Sequence, residues 1–336
     1  MSKKIIVVDS GRCFVKSLCD GKSKVFQSAI AKLPEGDFRL SVKTMPDDIW
    51  IKYGMFDYLL GSLAVRQKPD SATQDRNPDK TNEQNILQTI AACSLYAGRG
   101  EEIILLANCP ARDWKSQKKN LEKTLIGTSS YSVFHKAGDM AGTHSYFTVS
   151  ECHVLPEAET ALYGYCYDSK LNLIHEDVFN SYVLVVDVGD QTCNYISFNP
   201  GGDPYDAGSG SLDLGMFNAY AKLQRWLEER GKELTQAELV NHIMFDTPIY
   251  RGSNRIDCKP ELKAFYDQLE LDIYNQLSSR LKLSRYQNMI LAGGGPKVLA
   301  DRFKGRYEKT LNVIYPAGSQ LLNCYGSLYL YLLSRG

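Results

Sequence analysis

Three short stretches of this chain carry residue types suited to phosphate chemistry. The first is Asp9-Ser10-Gly11-Arg12-Cys13, with Lys16 just beyond. A glycine at the tip of a turn lets backbone N–H groups approach a phosphate closely, because no Cβ intervenes. An aspartate at a strand end can hold a hydrated Mg²⁺ through its waters. Lys16, on the return strand, can add positive charge over a β-phosphate. The second stretch, Asp187-x-Gly189-Asp190-Gln191-Thr192, repeats the logic. Gly189 permits the turn, Thr192 can donate a hydroxyl hydrogen bond, and Asp187 can accept from metal-bound water or orient an attacking water. The third is Gly293-Gly294-Gly295, followed by Pro296 and Lys297. Side-chain-free backbone there admits a flat or charged ligand, and the N-terminus of the next helix favours anions. Each stretch alone is also an ordinary turn or flexible loop. The third does not fit G-x-G-x-x-G, and no Lys-Ser/Thr pair completes a P-loop, so the Rossmann and P-loop readings fail.

Two of these stretches are hairpin tips. Residues 4 to 8, Lys-Ile-Ile-Val-Val, read as a buried strand running into the turn at Asp9, and Phe14 to Leu18 return as a second strand. Tyr182 to Val186, the turn at Asp187–Asp190 and Cys193 to Phe198 restate the theme. Asp9 and Asp187 stand 178 positions apart, and a repeated supersecondary unit weighs more than either hairpin alone. The glycine run follows an apolar strand, Asn288 to Ala292, and opens a helix through Phe303. Thr81-x-x-Gln84 and Thr235-x-x-Glu238 have the form of capping boxes. Ile86, Ile90 and Cys93 share one helix face, and Glu102 to Leu106 read as a buried strand. Residues 112 to 123, with Lys115, Lys118, Lys119 and Lys123, form a basic helical or loop surface whose plain reading is a solvated face. Met216, Tyr220, Leu223 and Leu227 make a stripe ended by Gly231, and Pro260 opens a long helix striped by Leu262, Phe265, Leu269, Ile273 and Leu277. A last helix, about Ser319 to Ser334, is expected to turn Leu322, Tyr325, Leu328 and Leu332 inward. The polar, aperiodic residues 66 to 81 read as an exposed loop. Strands alternating with helices argue for an α/β fold with mixed sheets.

The bulk properties narrow the function classes. The 336 residues suit two domains, with 43% apolar and 23% charged residues. Lys+Arg and Asp+Glu both total 39, so no global field draws the chain onto nucleic acid. No apolar run approaches the roughly 20 residues needed to span a bilayer, and the apolar stretch after Lys3-Lys4 is too short for a signal peptide. A cytoplasmic protein is expected. The nine cysteines lack C-x-x-C or zinc spacing and read as buried free thiols.

The ordered set of two hairpins and a later strand–Gly-Gly-Gly–helix resembles the actin, sugar-kinase and heat-shock-chaperone ATPase superfamily. In that superfamily two related domains clamp a nucleotide, the hairpins grip the phosphates from either side, and the glycine-rich turn contacts adenosine and ribose. The finer resemblance is to the ParM-like plasmid-segregation proteins. It is carried by Val8-Asp9-Ser10-Gly11 with Lys16, Leu106-Ala107-Asn108-Cys109-Pro110, Leu155-Pro156-Glu157 ahead of a helix, Val186-Asp187-Val188-Gly189, Ser211-Leu212-Asp213-Leu214-Gly215, Ile290-Leu291-Ala292-Gly293-Gly294-Gly295 and Asn323-Cys324-Tyr325-Gly326.

The resemblance implies an actin-like ATPase fold, with residues 1–168 plus 320–336 as domain I and 169–319 as domain II. It implies ATP or GTP with Mg²⁺ as ligands. The nucleotide-contacting residues would be Ser10, Gly11, Arg12, Cys13, Lys16, Gly189, Asp190, Gln191, Thr192, Gly215, Gly293, Gly294, Gly295 and Lys297. Asp9 and Asp187 would hold the hydrated metal. Glu157, with Glu159 as the competing candidate, would polarise the attacking water, helped by Asp187. It further implies a head-to-tail filament, a DNA-bound adaptor at a plasmid centromere, no direct nucleic-acid contact and no membrane. A small-molecule kinase of the same superfamily, a membrane-associated actin-like division protein and a non-hydrolysing nucleotide-binding scaffold are the alternatives. The chain departs from the family pattern in its second loop, where Asp190 replaces a Gly, Gln191 a Thr and Asn194 the closing Asp. Arg12 and Cys13 stand where a small hydroxyl residue is usual.

Overall fold

The computed structural model describes residues 3–34, 44–68, 72–74, 79–127 and 130–335. The chain divides into two compact units. Unit 1 comprises Met1–Cys109, Ser116–Val154 and Ala237–Phe245, and unit 2 comprises Pro110–Lys115, Leu155–Gln236 and Asp246–Gly336.

Unit 1 is built on a ten-stranded sheet. Its strands are β1 (Lys4–Ser10), β2 (Phe14–Cys19), β3 (Lys22–Gln27), β4 (Ala29–Leu33), β5 (Ile49–Tyr53), β6 (Phe56–Leu60), β7 (Thr73–Gln74), β8 (Arg99–Cys109), β9 (Tyr131–His135) and β10 (His144–Pro156). They lie in the order β3-β2-β1-β8-β10-β9-β5-β6-β4-β7. β1 runs antiparallel to β2, with Asp9 opposite Lys16, and parallel to β8. Helices α1 (Ser62–Gln67) and α2 (Glu83–Ser94) belong to this unit, and α3 (Ala111–Ile126) begins in unit 2 and continues in unit 1 from Ser116. Ile6, Val7 and Val8 are fully buried, as a strand covered on both faces requires.

Unit 2 repeats the theme in a five-stranded sheet of β11 (Val183–Val188), β12 (Cys193–Asn199), β13 (Asp203–Leu212), β16 (Asn288–Ala292) and β17 (Asn312–Ile314). Its order is β13-β12-β11-β16-β17. The central hairpin is again antiparallel, with Asp187 opposite Asn194, and β11 again runs parallel to its other neighbour. The first five strands of one sheet and the whole of the other therefore share an arrangement, as the repeated hairpin predicts. A small hairpin, β14 (Ile249–Arg251) with β15 (Asn254–Ile256), stands apart. The remaining helices are α4 (Glu159–Cys166), α5 (Glu176–Phe179), α6 (Met216–Glu228), α7 (Gln236–Met244), α8 (Lys259–Arg280), α9 (Pro296–Tyr307) and α10 (Leu322–Leu333). One face of the sheet packs on α6, α8 and α9 through Leu184, Val186, Leu269, Ile273, Leu291 and Phe303. The other packs on α4 and α10 through Val183, Val185, Ala161, Leu162 and Leu322.

Several expectations change in detail. Helices α4 and α10, expected with domain I, lie in unit 2, because they pack on each other and on that sheet. Helix α7, expected in domain II, lies in unit 1, where Gln27 donates to the Ala237 carbonyl at 3.0 Å and Ala237 joins a cluster with Leu33 and Leu63. The cap of α2 is Asn82, whose side chain accepts from the Asn85 N–H at 2.9 Å, rather than Thr81; Thr81 instead bonds Asp79. The inward face of α10 is Leu322, Asn323, Cys324, Gly326, Ser327, Tyr329 and Tyr331, so of the expected stripe Leu322 is buried while Tyr325, Leu328 and Leu332 are only partly so. Gly326 and Gly164 explain this, since a Cβ on Gly326 would stand 1.7 Å from the Thr160 carbonyl and one on Gly164 2.2 Å from that of Leu322. The backbones of α4 and α10 touch, and only small residues fit between them. Of the polar stretch 66–81, residues 69–71 and 75–78 lie outside the described residues, Thr73–Gln74 pair with Ala29–Ile30, and Lys80 is buried rather than exposed. Among the described residues, no helix is long and apolar enough to cross a membrane.

Candidate functional site

The tip of the first hairpin is tightly built. Lys16 Nζ lies 2.9 Å from Asp9 Oδ2, and both side chains are largely buried. Asp9 Oδ1 is buried with no hydrogen-bond partner among the described residues. A dry carboxylate oxygen left without a donor costs about 1–3 kcal/mol, so this atom suits a metal-bound water. Gly11 has no room for a side chain, because a Cβ there would meet the Phe14 carbonyl at 2.7 Å and Lys16 Nζ at 2.9 Å. Ser28 Oγ donates to the Gly11 carbonyl at 2.5 Å, the Ser28 N–H donates to the Cys13 carbonyl at 2.8 Å, and Lys80 donates to the Ser10 carbonyl. Arg12 and Cys13 are partly exposed on the same loop. Within unit 1 the structure thus brings together Asp9, Ser10, Gly11, Arg12, Cys13 and Lys16, and adds Ser28 and Lys80.

The second hairpin is anchored differently. The Gly189 N–H donates to the Thr192 carbonyl at 2.9 Å, closing the turn. The carbonyls of Gly189 and Asp190 accept from the Met216 and Phe217 N–H groups at 3.1 and 2.8 Å. The first amides of α6 are therefore spent on this loop, and the Gly215 N–H turns to Asn218 Oδ1 at 2.8 Å. Gly215 must be glycine here, since a Cβ would stand 2.2 Å from the Asp190 carbonyl oxygen. Gln191 and Thr192 are partly exposed at the tip.

Asp187 is only 5% exposed, and its Oδ2 accepts from Asn323 Nδ2 at 2.7 Å. The same Asn323 uses Oδ1 to accept from the Ala158 N–H at 3.0 Å and from Thr160 Oγ1 at 3.2 Å. One amide thus ties the second loop to the turn carrying Glu157, which is partly exposed just ahead of α4. Ala158 sits at φ 65°, a left-handed position rare for a residue with a Cβ. Glu159, on the first turn of α4, has its carboxyl raised above the usual range by burial and by repulsion from Asp206.

The glycine run is fitted against Asp187. Gly293, at φ 86°, would place a Cβ 2.3 Å from Asp187 Oδ1, and the Gly295 N–H donates to the Val188 carbonyl at 3.0 Å. The Gly293 N–H donates to the Ser319 carbonyl at 3.1 Å. Gly294 and Lys297 are exposed at the start of α9. Within unit 2 the structure gathers Asp187, Gly189, Asp190, Gln191, Thr192, Gly215 and Gly293 to Gly295 around β11, with Glu157 joined to them through Asn323.

Among the described residues there is no cluster of three or more His, Cys, Asp and Glu able to hold a metal directly. All nine cysteines are free.

Two family models match successive parts of the chain. Residues 8–159 match the N-terminal domain of the actin-like proteins, and residues 185–305 match the C-terminal domain of the archaeal actin homologue MreB-like family. No curated protein matches the chain. Among solved structures it is similar to the subunit of a 15-stranded ParM filament from Clostridium botulinum, at TM-score 0.81 and 21% identity over 100% of both chains. It is also similar to Ta0583, an archaeal actin homolog solved in complex with ADP, at TM-score 0.76 and 18% identity over 99% of both chains. The actin-like protein Alp7A matches at TM-score 0.78 and 16% identity over 99% of this chain and 98% of that one. At these identities the likeness is one of fold.

Proposed function

We propose, on the premise that this chain is an actin-like protein, that it binds ATP or GTP with Mg²⁺, hydrolyses it, and assembles head to tail into filaments that segregate plasmid DNA. The observation that carries the reading is the matched pair of hairpins. Each ends a central strand with a buried aspartate, Asp9 or Asp187, and each is followed by a glycine-bearing turn. The neighbours add support, since one was solved with ADP and another as a ParM filament.

In this reading the loop amides around Gly11 and Gly189 receive the β- and γ-phosphates. Lys16 adds charge, and Asp9 and Asp187 hold Mg²⁺ through water. The metal would neutralise charge developing on the transferred phosphoryl group. Glu157 orients the attacking water, on a turn that Asn323 fastens to Asp187. Catalysis is then positioning plus electrostatics. Gly293 to Gly295 and Lys297 receive the base and ribose, and Gly215, Asp190, Gln191 and Thr192 border the second loop. The formal charge is zero, so DNA would be reached through a bound adaptor rather than directly.

Sedimentation and electron microscopy of the purified protein test the assembly. Filaments are expected with ATP–Mg²⁺ and none without nucleotide; no polymer with either ATP or GTP would sink that part of the proposal. A phosphate-release assay tests the chemistry. Glu157→Ala should keep nucleotide binding and lose about 100-fold or more in turnover, the scale of a lost base or water-positioning group. Unchanged turnover would refute the role.

A further inference from the structure

Lys80 is 4% exposed, and among the described residues its ammonium has no carboxylate partner. Lysines are almost never so deeply buried without a counter-charge, because removing the head group from water is costly. This one donates to the Ser10 carbonyl in the first phosphate loop. Its backbone is held on both sides. The Lys80 N–H donates to Gln117 Oε1 at 2.9 Å, and its carbonyl accepts from Asn85 Nδ2 at 2.5 Å.

The next carbonyl along the loop, that of Gly11, is held in the same manner by Ser28 Oγ. Ser28 is fixed in turn, with its N–H on the Cys13 carbonyl and its own carbonyl accepting from Gln88 Nε2 at 2.9 Å. In a planar trans peptide the C=O and the N–H point in opposite directions. Holding the Ser10 carbonyl therefore fixes where the Gly11 N–H points, and holding the Gly11 carbonyl fixes the Arg12 N–H.

We propose that Lys80 and Ser28 are positioning residues for the polyphosphate of a nucleoside triphosphate. They hold two successive loop peptides from behind, so that the N–H groups are aimed at the anion before it arrives. The Lys80 charge also polarises the Ser10–Gly11 peptide, which makes its N–H a stronger donor. Preorganised amides of this kind bind anions without reorganisation at the moment of binding. This inference rests on the nucleotide reading above.

A residue that merely supports the loop would affect every ligand alike, whereas one that aims amides at β- and γ-phosphates discriminates by phosphate number. Isothermal titration of ATP–Mg²⁺ and of adenosine monophosphate against wild type, Lys80→Met and Ser28→Ala separates the two. Lys80→Met is expected to weaken ATP by about tenfold or more, the scale of one charge-assisted hydrogen bond, and Ser28→Ala severalfold. Adenosine monophosphate should change by no more than about twofold. ATP bound equally by Lys80→Met, or both ligands weakened alike, overturns the inference. Should circular dichroism find Lys80→Met unfolded, Lys80→Gln keeps an N–H donor without the charge and is judged by the same split. A wild type that binds ATP while the variants bind it equally overturns only this inference. A wild type that binds no nucleotide overturns the functional reading and this inference with it.

Discussion

A buried carboxylate is characterised by what donates to it, and the aspartates of the two loops differ in this. Asp9 is met by an ammonium and has one oxygen with no hydrogen-bond partner among the described residues, whereas Asp187 is met by the amide of Asn323. Glu159 is the opposite case, a carboxyl whose charged form is penalised by burial and by Asp206. Its folded-state value lies above its ordinary 4.5. The folded state therefore holds the proton more tightly than the unfolded one, and stability falls as pH rises above about 4.5. Glu159→Gln should raise the melting temperature at pH 7 and leave it nearly unchanged at pH 4; a variant with equal shifts at both would contradict this. The hairpin residues were legible in the sequence because a turn is a local signal. Lys80, Ser28 and Asn323 were not, because each acts on a partner 70, 17 or 136 positions away. Asn323 was at least inside a noted motif, and Lys80 lay in a stretch whose polarity read as exposure.

At the scale of elements, strands and long helices followed from periodicity. β1, β11 and α8 stand where their apolar patterns put them, and α8 buries Leu269, Ile273 and Leu277 of its expected stripe. The stripe expected on α10 fails for a physical reason. Apolar periodicity assumes that large side chains mark the buried face, yet α10 meets α4 at Gly326, where a missing side chain leaves room for the Thr160 carbonyl. Backbone contact requires glycine at the crossing, and Leu328 and Leu332 are left only partly buried, while Leu322 still packs on the sheet. Gly326→Ala should cost upward of about 3 kcal/mol, since the added methyl overlaps the Thr160 carbonyl and neither helix can retreat without opening the core. Urea denaturation checks this; a loss below about 1 kcal/mol would mean that the helices separate easily.

At the scale of the whole molecule, a five-strand order recurs in the two halves of the chain. The thiols offer a global test of that packing and of the ligand site together. Seven of the nine are buried, and burial pushes the Cys19 and Cys166 thiols up to about 12. Cys13 and Cys258 are the partly exposed pair. Under native conditions at pH 8 these two should react with a small aromatic disulfide reagent, and the rest only after unfolding. ATP–Mg²⁺ should slow Cys13, which lies on the first loop, and leave Cys258 unaffected; equal protection of both would argue against a ligand at that loop. The fastening of Gly189 and Asp190 to the first amides of α6 carries a mechanical consequence. Loop and helix must travel as one body, so a displacement of an ångström or so at the turn becomes a swing of a rod about 20 Å long. A fluorophore near Glu229, far from any phosphate, would then serve as a remote gauge of what occupies the loop.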